Sequence, residues 1–205
     1  AAWSAPRVLV YGDSLSAAYG MPRNAGWATL LERRLAEHRP PWAVANASVS
    51  GETTAGGLAR LPALLDRLAP DLVILALGAN DGLRGLPAAA MADNLRAMVR
   101  LAKGRGARVL LVGMRLPPNY GSAYTREFQE AFVRVAKQEV VPLVPFLLDG
   151  IATEPSWFQA DGLHPTAEAQ PRLLDTVWRG LAPLLARSPA PVKGSRPAAS
   201  LRPGP

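Results

Sequence analysis

The chain has 205 residues, of which 49% are hydrophobic and 19% are charged, and this composition excludes a chain that is disordered throughout. It contains no cysteine, which excludes thiol nucleophiles, cysteine-ligated zinc and disulfides. The net charge is +7, but four positive charges lie after Leu185 and leave about +3 for the rest. Without a basic stripe interleaved with aromatic residues we expect no nucleic-acid binding, whereas attraction to an anionic phospholipid surface stays open.

The length of the chain predicts a single domain, which we place at residues 1–187. Residues 188–205 are rich in Pro, Ala, Ser, Arg and Gly and lack apolar periodicity, so we predict a flexible tail without an assigned function. The small residues at the start of the chain are typical of the sequence after a cleaved signal peptide, so we expect a periplasmic or secreted protein. No apolar run approaches the roughly 20 residues of a membrane helix.

Strand and helix patterns alternate along the chain. Most strand segments are near-continuous runs of Val, Leu and Ile, which is typical of parallel strands buried on both faces. In chain order, the predicted elements are a strand at 7–11, a helix at 27–38, a strand at 43–49, a helix at 55–68, a strand at 71–77, a helix at 87–103, a strand at 108–113, a helix at 124–139, a strand at 141–144 and a helix at 167–185. The alternation predicts an α/β fold, a three-layer α/β/α sandwich around a flavodoxin-like, five-stranded parallel sheet.

The sequence Gly-Asp-Ser-Leu-Ser at 12–16 directly follows the first predicted strand. A strand that ends there places the Ser14 hydroxyl at the carboxyl edge of the sheet, where open α/β folds build their sites. Serine is a weak nucleophile until a base removes its proton, and the chain has two histidines. His38 lies at a charged helix end before two prolines, and we interpret it as a solvent-facing terminal residue. His164, in the loop before the last helix, is the candidate base.

Asp161 precedes His164 by three residues in the string Asp-Gly-Leu-His-Pro. In a tight loop its carboxylate can reach Nδ1 of the imidazole, turn Nε2 toward Ser14 and stabilise the imidazolium that forms. An aspartate beside glycine is also common as a turn residue. The full string is more specific than either residue alone and favours a Ser-His-Asp arrangement.

Acyl transfer also needs hydrogen-bond donors for the oxyanion. Three donors are the backbone N–H groups of Ser14 and Gly51 and the side-chain amide of Asn80, which follow the first, second and third strands and therefore lie at one edge of the sheet. Alone, Gly51 or Asn80 would be interpreted as a turn residue. We expect Asp13 and Asp81 to accept hydrogen bonds from loop backbone. We expect no metal site, because two carboxylates and one further histidine are too few ligands for a metal ion.

These segments resemble the four sequence blocks of the SGNH (GDSL-type) serine hydrolases, in the same order, over 7–186. The narrower resemblance is to the branch of multifunctional thioesterase I/lysophospholipase L1 and TAP-like arylesterases. The segments that carry it are 46–51, 58–65, 80–85 and 115–121. The resemblance implies Ser14 as nucleophile, His164 as general base, Asp161 as its orienting acid, and Ser14, Gly51 and Asn80 as oxyanion hole. It also implies a small, periplasmic or secreted enzyme that hydrolyses acyl esters and thioesters.

Two residues depart from that branch. Glu52 stands where Asp is common, and Ala79 stands where Gly is frequent. Neither removes a functional atom, so we expect them to affect substrate preference and not the type of reaction. The α/β-hydrolases share the order Ser, Asp, His but carry a G-x-S-x-G elbow, which Ser16 does not match.

An apolar acyl groove is predicted beside Ser14, because loops after the third and fourth strands overhang the same edge. The alternative is that their apolar residues simply cover the core. The candidate substrate-binding residues are Leu15, Leu83, Leu116, Pro117 and Tyr120.

The sequence therefore favours a serine esterase that acts on small acyl esters or thioesters, without a cofactor and without an obligate protein partner. A carbohydrate O-acetylesterase would use the same residues. A non-catalytic flavodoxin-like binding module is the alternative of another class, and it is disfavoured because no Walker loop and no G-x-G-x-x-G after the first strand is present.

Overall fold

The computed structural model describes residues 5–186. Its strands are β1 (Arg7–Gly12), β2 (Ala43–Asn46), β3 (Leu72–Ala76), β4 (Arg108–Val112) and β5 (Leu143–Val144). They form one sheet in the order β2-β1-β3-β4-β5, and every neighbouring pair is parallel. The predicted five-stranded parallel sheet is confirmed.

Helices connect the strands and cover both faces of the sheet. The α-helices of the described residues are α1 (Trp27–Ala36), α2 (Thr54–Leu68), α3 (Ala79–Leu83), α4 (Ala88–Gly104), α5 (Ser122–Glu139) and α6 (Gln170–Leu185). The helix predicted over 167–185 begins as a 3-10 turn at Ala167–Ala169 before α6. None of the described helices is long and apolar enough to cross a membrane.

The core lies in two layers, one on each side of the sheet. Along β1, Val8 and Val10 belong to the cluster formed with α1 and α6, while Leu9 and Tyr11 belong to the cluster formed with α2, α4 and α5. All four side chains are fully buried, because successive residues of a strand point to opposite faces. This confirms the three-layer sandwich and explains why the strand lacks polar alternation.

The second strand is shorter than predicted. It ends at Asn46, although the backbone N–H groups of Ala47 and Val49 still donate to carbonyls of β1, both at 3.0 Å. The Asn46 Oδ1 atom accepts from the backbone of Ser48 at 3.1 Å, and the Ser48 hydroxyl accepts from the backbone of Gly12 at 3.0 Å. Side-chain hydrogen bonds thus accompany the last backbone bonds to β1, where the loop that carries Gly51 begins.

One helix was not predicted. The five-residue α3 follows β3 directly and contains Asn80. Gly78 has φ of 124°, a conformation that favours glycine, and a Cβ on Gly82 would lie 2.5 Å from Phe128. Such a short element has no apolar periodicity, so the sequence pattern could not reveal it.

The tail predicted at 188–205 lies outside the described residues. The single domain over 1–187 and its boundary with the tail therefore stay predictions.

Candidate active site

The Ser14 side chain lies at the carboxyl end of β1, in the turn that follows Gly12. The backbone N–H groups of Ser16 and Ala17 donate to the carbonyl of Asp13 at 3.1 and 3.0 Å. A Cβ on Gly12 would lie 2.8 Å from the Ser16 hydroxyl and 3.0 Å from a backbone carbonyl of β3. Only glycine fits between strand and turn there, and its small size lets the chain reverse immediately before Ser14.

Three predicted residues form a chain of hydrogen bonds at this point. The His164 Nε2 atom lies 2.9 Å from the Ser14 hydroxyl oxygen, and Nδ1 lies 2.6 Å from Oδ2 of Asp161. Oδ1 of Asp161 accepts from the backbone of Leu163 at 2.9 Å and of His164 at 3.0 Å. In this geometry an imidazole can remove the hydroxyl proton while the carboxylate holds the ring in the required tautomer.

The Asp161 carboxylate is held in its charged form. Hydrogen bonds from the backbone and then the side chain of His164, followed by one from Leu163, lower the pKa of Asp161 to about 2. Donors that bind a carboxylate stabilise its ionised form. Asp161 therefore carries the negative charge that an imidazolium at His164 needs.

Two residues that the sequence analysis did not single out support His164. The ring of Tyr19 packs against the imidazole, with 4.3 Å between centroids and 36° between planes. The Gln159 side-chain amide donates to the carbonyls of Tyr19 at 2.9 Å and Pro165 at 3.0 Å. Gln159 thus joins the loop after Ser14 to the loop that carries His164. Contacts across 140 positions leave no local pattern, so only the folded chain reveals them.

The predicted oxyanion donors follow β1, β2 and β3. Ser14 and Gly51 lie in turns, and Asn80 lies on the short helix α3. Among the described residues, no acceptor binds the backbone N–H of Ser14 or of Gly51, so both are available to a ligand. The amide nitrogen of Asn80 donates to the carbonyl of Glu52 at 2.9 Å and lies 3.4 Å from Oδ2 of Asp13. The first bond fixes the amide, and the second is long enough to yield to a substrate oxygen.

The turn at Gly51 is held by two arginines. Gly51 has φ of 80°, in the left-handed region that favours glycine. Arg84 donates to its carbonyl at 3.2 Å. Arg60 binds the Glu52 carboxylate at 2.6 Å and the carbonyl of Ala47 at 3.0 Å. The longer acid at position 52 therefore anchors the start of the loop to α2.

Asp13 lies directly beside the nucleophile and is 1% exposed. It accepts a hydrogen bond from the backbone of Leu15 at 3.0 Å, as expected for a loop aspartate. Burial raises the pKa of Asp13 to about 6, against the lowering effect of the Leu15 bond and of nearby His164. Such a carboxyl is costly to ionise inside the protein.

The predicted groove residues are partly brought together. The Tyr120 hydroxyl donates to the carbonyl of Leu83 at 2.9 Å, which joins the loops after β3 and β4. Leu116 packs partly buried against the core layer of α4 and α5, and Pro117 is exposed beside it. Leu15 packs against the opposite core layer. An acyl groove between these loops stays a prediction.

Large apolar side chains are exposed around this edge of the sheet. They belong to the loops that carry Ser14, Gly51, Asn80 and His164. The exposed side chains in these loops are Tyr19, Val49, Leu83, Leu86 and Leu163. Substrate binding by these exposed apolar side chains stays a prediction.

His38 does not take part in this arrangement. Its Nδ1 atom lies 3.0 Å from the carbonyl of Pro40, two residues further along the chain. The described residues contain no group of three or more His, Asp or Glu side chains that could hold a metal ion.

Comparison with known proteins gives a consistent result. The model of the GDSL-like lipase/acylhydrolase family matches residues 10–171. The chain is 51% identical to the esterase TesA of Pseudomonas aeruginosa, over 89% of this chain and 90% of that protein. It is 47% identical to an arylesterase of Vibrio mimicus, over 88% and 90%. It is 41% identical to the thioesterase 1/protease 1/lysophospholipase L1 of Escherichia coli, over 89% and 86%.

Solved structures are similar over almost their whole length. The crystal structure of TesA superposes with a TM-score of 0.85, covering 87% of this chain and 99% of that one. The psychrotrophic esterase EstA of Pseudoalteromonas sp., inhibited by monoethylphosphonate, is 38% identical with a TM-score of 0.84, covering 88% and 99%. AlinE4, an SGNH-hydrolase family esterase, is 37% identical with a TM-score of 0.74, covering 91% and 97%.

Proposed function

Because the chain belongs to the GDSL-like lipase/acylhydrolase family, we propose that it is a serine esterase that hydrolyses carboxylic esters and thioesters through a covalent acyl-enzyme. The observation that carries this proposal is the hydrogen-bonded chain from Ser14 through His164 to Asp161, with lengths of 2.9 and 2.6 Å. These two distances support the roles of nucleophile for Ser14, base for His164 and orienting acid for Asp161.

In the first half of the proposed reaction, the Ser14 oxygen attacks the carbonyl carbon of the ester. The hydroxyl proton passes to Nε2 of His164, and the carbonyl π electrons move to oxygen. His164 then gives this proton to the departing alcohol or thiol as the ester bond breaks, which leaves the acyl group on Ser14. The charge of Asp161 stabilises the imidazolium between these two proton transfers.

The oxyanion of the tetrahedral intermediate would bind the N–H groups of Ser14 and Gly51 and the amide of Asn80. The unpaired state of the two backbone N–H groups supports this role. Asn80 keeps its bond to the Glu52 carbonyl, and its second hydrogen, held only by the long 3.4 Å contact with Asp13, binds the substrate oxygen in place of Asp13. Donors fixed before the reaction lower its barrier because they need no reorganisation.

In the second half, water takes the place of the alcohol. His164 removes a proton from the water, the resulting hydroxide attacks the acyl carbon, and the proton returns to the Ser14 oxygen as the carboxylic acid leaves. The protein residues are restored, and no cofactor is consumed.

The proposed substrates are small molecules with an apolar acyl chain. The exposed apolar side chains around Ser14 support this preference, as do the esterase, arylesterase and thioesterase/lysophospholipase names of the relatives. A phospholipid surface is a further proposed partner, because the net charge of +7 favours binding to anionic phospholipids.

A panel of p-nitrophenyl esters from acetyl to palmitoyl, acyl thioesters and acetylated sugars tests the proposal. We expect hydrolysis of the p-nitrophenyl esters and thioesters, and loss of both in Ser14→Ala. Fast release of acetate from sugars alone would instead favour a carbohydrate O-acetylesterase. An intact protein that hydrolyses none of these would overturn the proposed function and favour a binding module.

A periplasmic or secreted location completes the proposal. Fractionation of cells that produce the protein from its natural gene tests it, with recovery in the cytosolic fraction as the contradictory result.

A further inference from the structure

Asp81 is a buried carboxylate that the proposed reaction does not use. It follows Asn80 on α3 and is 3% exposed. Its Oδ2 accepts from the backbone N–H of Thr54 at 2.9 Å, and its Oδ1 accepts from the Thr54 hydroxyl at 2.5 Å. A buried charge persists when hydrogen bonds satisfy it in this way, so the question is what these bonds hold in place.

Thr54 is the first residue of α2 and lies three positions after Gly51. It is fully buried, and Asn94 of α4 donates to its hydroxyl at 3.0 Å. Because that hydroxyl oxygen accepts from Asn94, its own proton is free to go to Asp81. The negative charge also lies at the amino terminus of α2, where free N–H groups stabilise it.

Neighbouring contacts join the same two segments. The Asn80 amide donates to the Glu52 carbonyl at 2.9 Å, and Arg84 donates to the Gly51 carbonyl at 3.2 Å. Together with Asp81 and Thr54, they fasten α3 to the turn that carries Gly51. The Asp81 bonds are buried, whereas the Arg84 bond is exposed and therefore weaker.

We propose that Asp81 is a positioning residue that fixes the distance between two oxyanion donors, the Asn80 amide and the Gly51 N–H. This inference rests on the proposed function. The two donors come from different loops, and no covalent or strand contact fixes their separation. Beside the Asn80–Glu52 and Arg84–Gly51 bonds, Asp81 supplies a buried constraint on that separation, because it follows Asn80 in sequence and binds the Gly51 segment through Thr54. Donors that must bind one developing charge lose their effect when their separation varies.

The test is a double-mutant cycle with Asp81→Asn and Asn80→Ala, measured as kcat and KM on a short p-nitrophenyl ester. We expect Asp81→Asn to lower kcat roughly 10- to 100-fold, the worth of a charged hydrogen bond, with little change in KM. In the Asn80→Ala background the same substitution is expected to cost clearly less, because one of the two donors is already gone. Equal losses in both backgrounds would overturn the inference.

Thr54 provides an independent route if Asp81→Asn fails to fold. Thr54→Val removes the hydroxyl that binds Asp81, whereas Thr54→Ser keeps a hydroxyl at this position. We expect a lower kcat in the valine variant and a kcat close to that of wild type in the serine variant. Valine and serine variants with the same kcat would contradict the inference.

Glu139→Gln is the matched control for loss of a buried carboxylate. Glu139 is 8% exposed and pairs with Arg100 at 2.9 Å, at the carboxyl end of α5. We expect a lower melting temperature with an unchanged kcat, and a loss of kcat equal to that of Asp81→Asn would overturn the inference. An active wild-type enzyme with a fully active Asp81→Asn variant overturns this inference alone, whereas a wild-type protein without ester hydrolysis overturns the proposed function with it.

Discussion

The proposed reaction depends on individual hydrogen-bond donors, and the Asn80 amide is the donor whose removal tests the oxyanion hole most clearly. Asn80→Ala removes one oxyanion donor and one bond to the Glu52 carbonyl. We expect kcat to fall roughly 10²- to 10³-fold, with KM nearly unchanged, because the lost interaction belongs to the transition state. Steady-state kinetics on a short ester measure it, alongside circular dichroism to verify folding. A kcat within about threefold of wild type would remove Asn80 from the proposed hole.

Tyr19 tests the packing behind the proposed base. Its ring lies 4.3 Å from that of His164, and such contacts contribute about 0.5–1.5 kcal/mol. Tyr19→Ala is expected to lower kcat/KM by roughly two- to tenfold, whereas Tyr19→Phe keeps the ring and serves as the control. Equal activity of the two variants would show that the contact does not orient the imidazole.

Asp13 predicts a dependence of stability on pH. Because its pKa is raised from 3.8 to about 6, the folded protein keeps this proton to higher pH than the unfolded chain. Its favourable contribution is complete below about pH 4 and is lost as the pH rises through about 6, which amounts to about 3 kcal/mol. The asparagine of the variant Asp13→Asn does not titrate, so this variant lacks the loss. The difference in unfolding free energy, variant minus wild type, should therefore rise by about 3 kcal/mol between about pH 4 and about pH 8.

Urea unfolding of both proteins at the two pH values measures this difference. Any cost of the new amide beside Asn80 is independent of pH and cancels. Parallel pH dependences of wild type and Asp13→Asn would contradict the raised pKa. The stabilisation from Asp161 stays nearly constant over this range, because its pKa is about 2 in the folded protein and 3.8 in the unfolded chain.

At the scale of elements, the sequence predicted those that have a clear period. The five strands and the long helices follow from apolar patterns, and the residue types at the strand ends predicted the functional edge. The bounds of β2, the bounds of β5 (predicted over 141–144, found over Leu143–Val144) and the helix α3 were missed. Side-chain hydrogen bonds of Asn46 and Ser48 accompany the end of β2, and Gly82 of α3 packs under Phe128. These contacts are tertiary and leave no local pattern.

The same limit applies to the candidate site. Ser14, His164 and Asp161 were predicted because their chemistry and spacing are specific. Asp81 was expected to accept from backbone, as it does from Thr54. Neither Tyr19 nor Thr54 as the partner of Asp81 was foreseen, since each contact joins segments whose proximity depends on strand order. Sequence therefore indicated the reacting groups, and the fold was needed to find the residues that hold them.

The loops after β3 and β4 give a prediction for substrate preference. Leu116 packs partly buried against the core, and Tyr120 ties its loop to Leu83. If these loops form an acyl groove, Leu116→Ala lowers kcat/KM for octanoyl esters by roughly tenfold, the worth of a lost apolar contact, and spares acetyl esters. Val133→Ala, an exposed aliphatic change on α5, is the control. An unchanged chain-length profile would mean that these residues only cover the core.

For the molecule as a whole, the order β2-β1-β3-β4-β5 explains why distant segments meet. Strands β2 and β3 lie on either side of β1, so the carboxyl ends of the three strands bring Gly51, Asn80 and Ser14 to one edge of the sheet. The loop before α6 brings His164 to the same edge. The strand order reverses at β1, with β2 on one side and β3 on the other, and such a switch point opens a crevice at the carboxyl edge of the sheet. The site is thus a consequence of topology combined with a few residues at strand ends.

This organisation predicts that residues 188–205 are dispensable for hydrolysis of soluble esters. Within the described residues 5–186, the two core layers and the candidate site are already formed. A chain that stops at 187 should keep the kcat, KM and melting temperature of the full chain. A large loss of kcat in the shortened chain would assign the tail a function.

The central claim is that Ser14 becomes a nucleophile because His164 and Asp161 lie in line behind it. A fluorophosphonate probe followed by intact-mass spectrometry and peptide mapping tests it most directly. We predict stoichiometric labelling at Ser14, strongly slowed in His164→Ala and absent in Ser14→Ala. A folded wild-type protein that stays unlabelled, or that is labelled at another residue, would contradict the account.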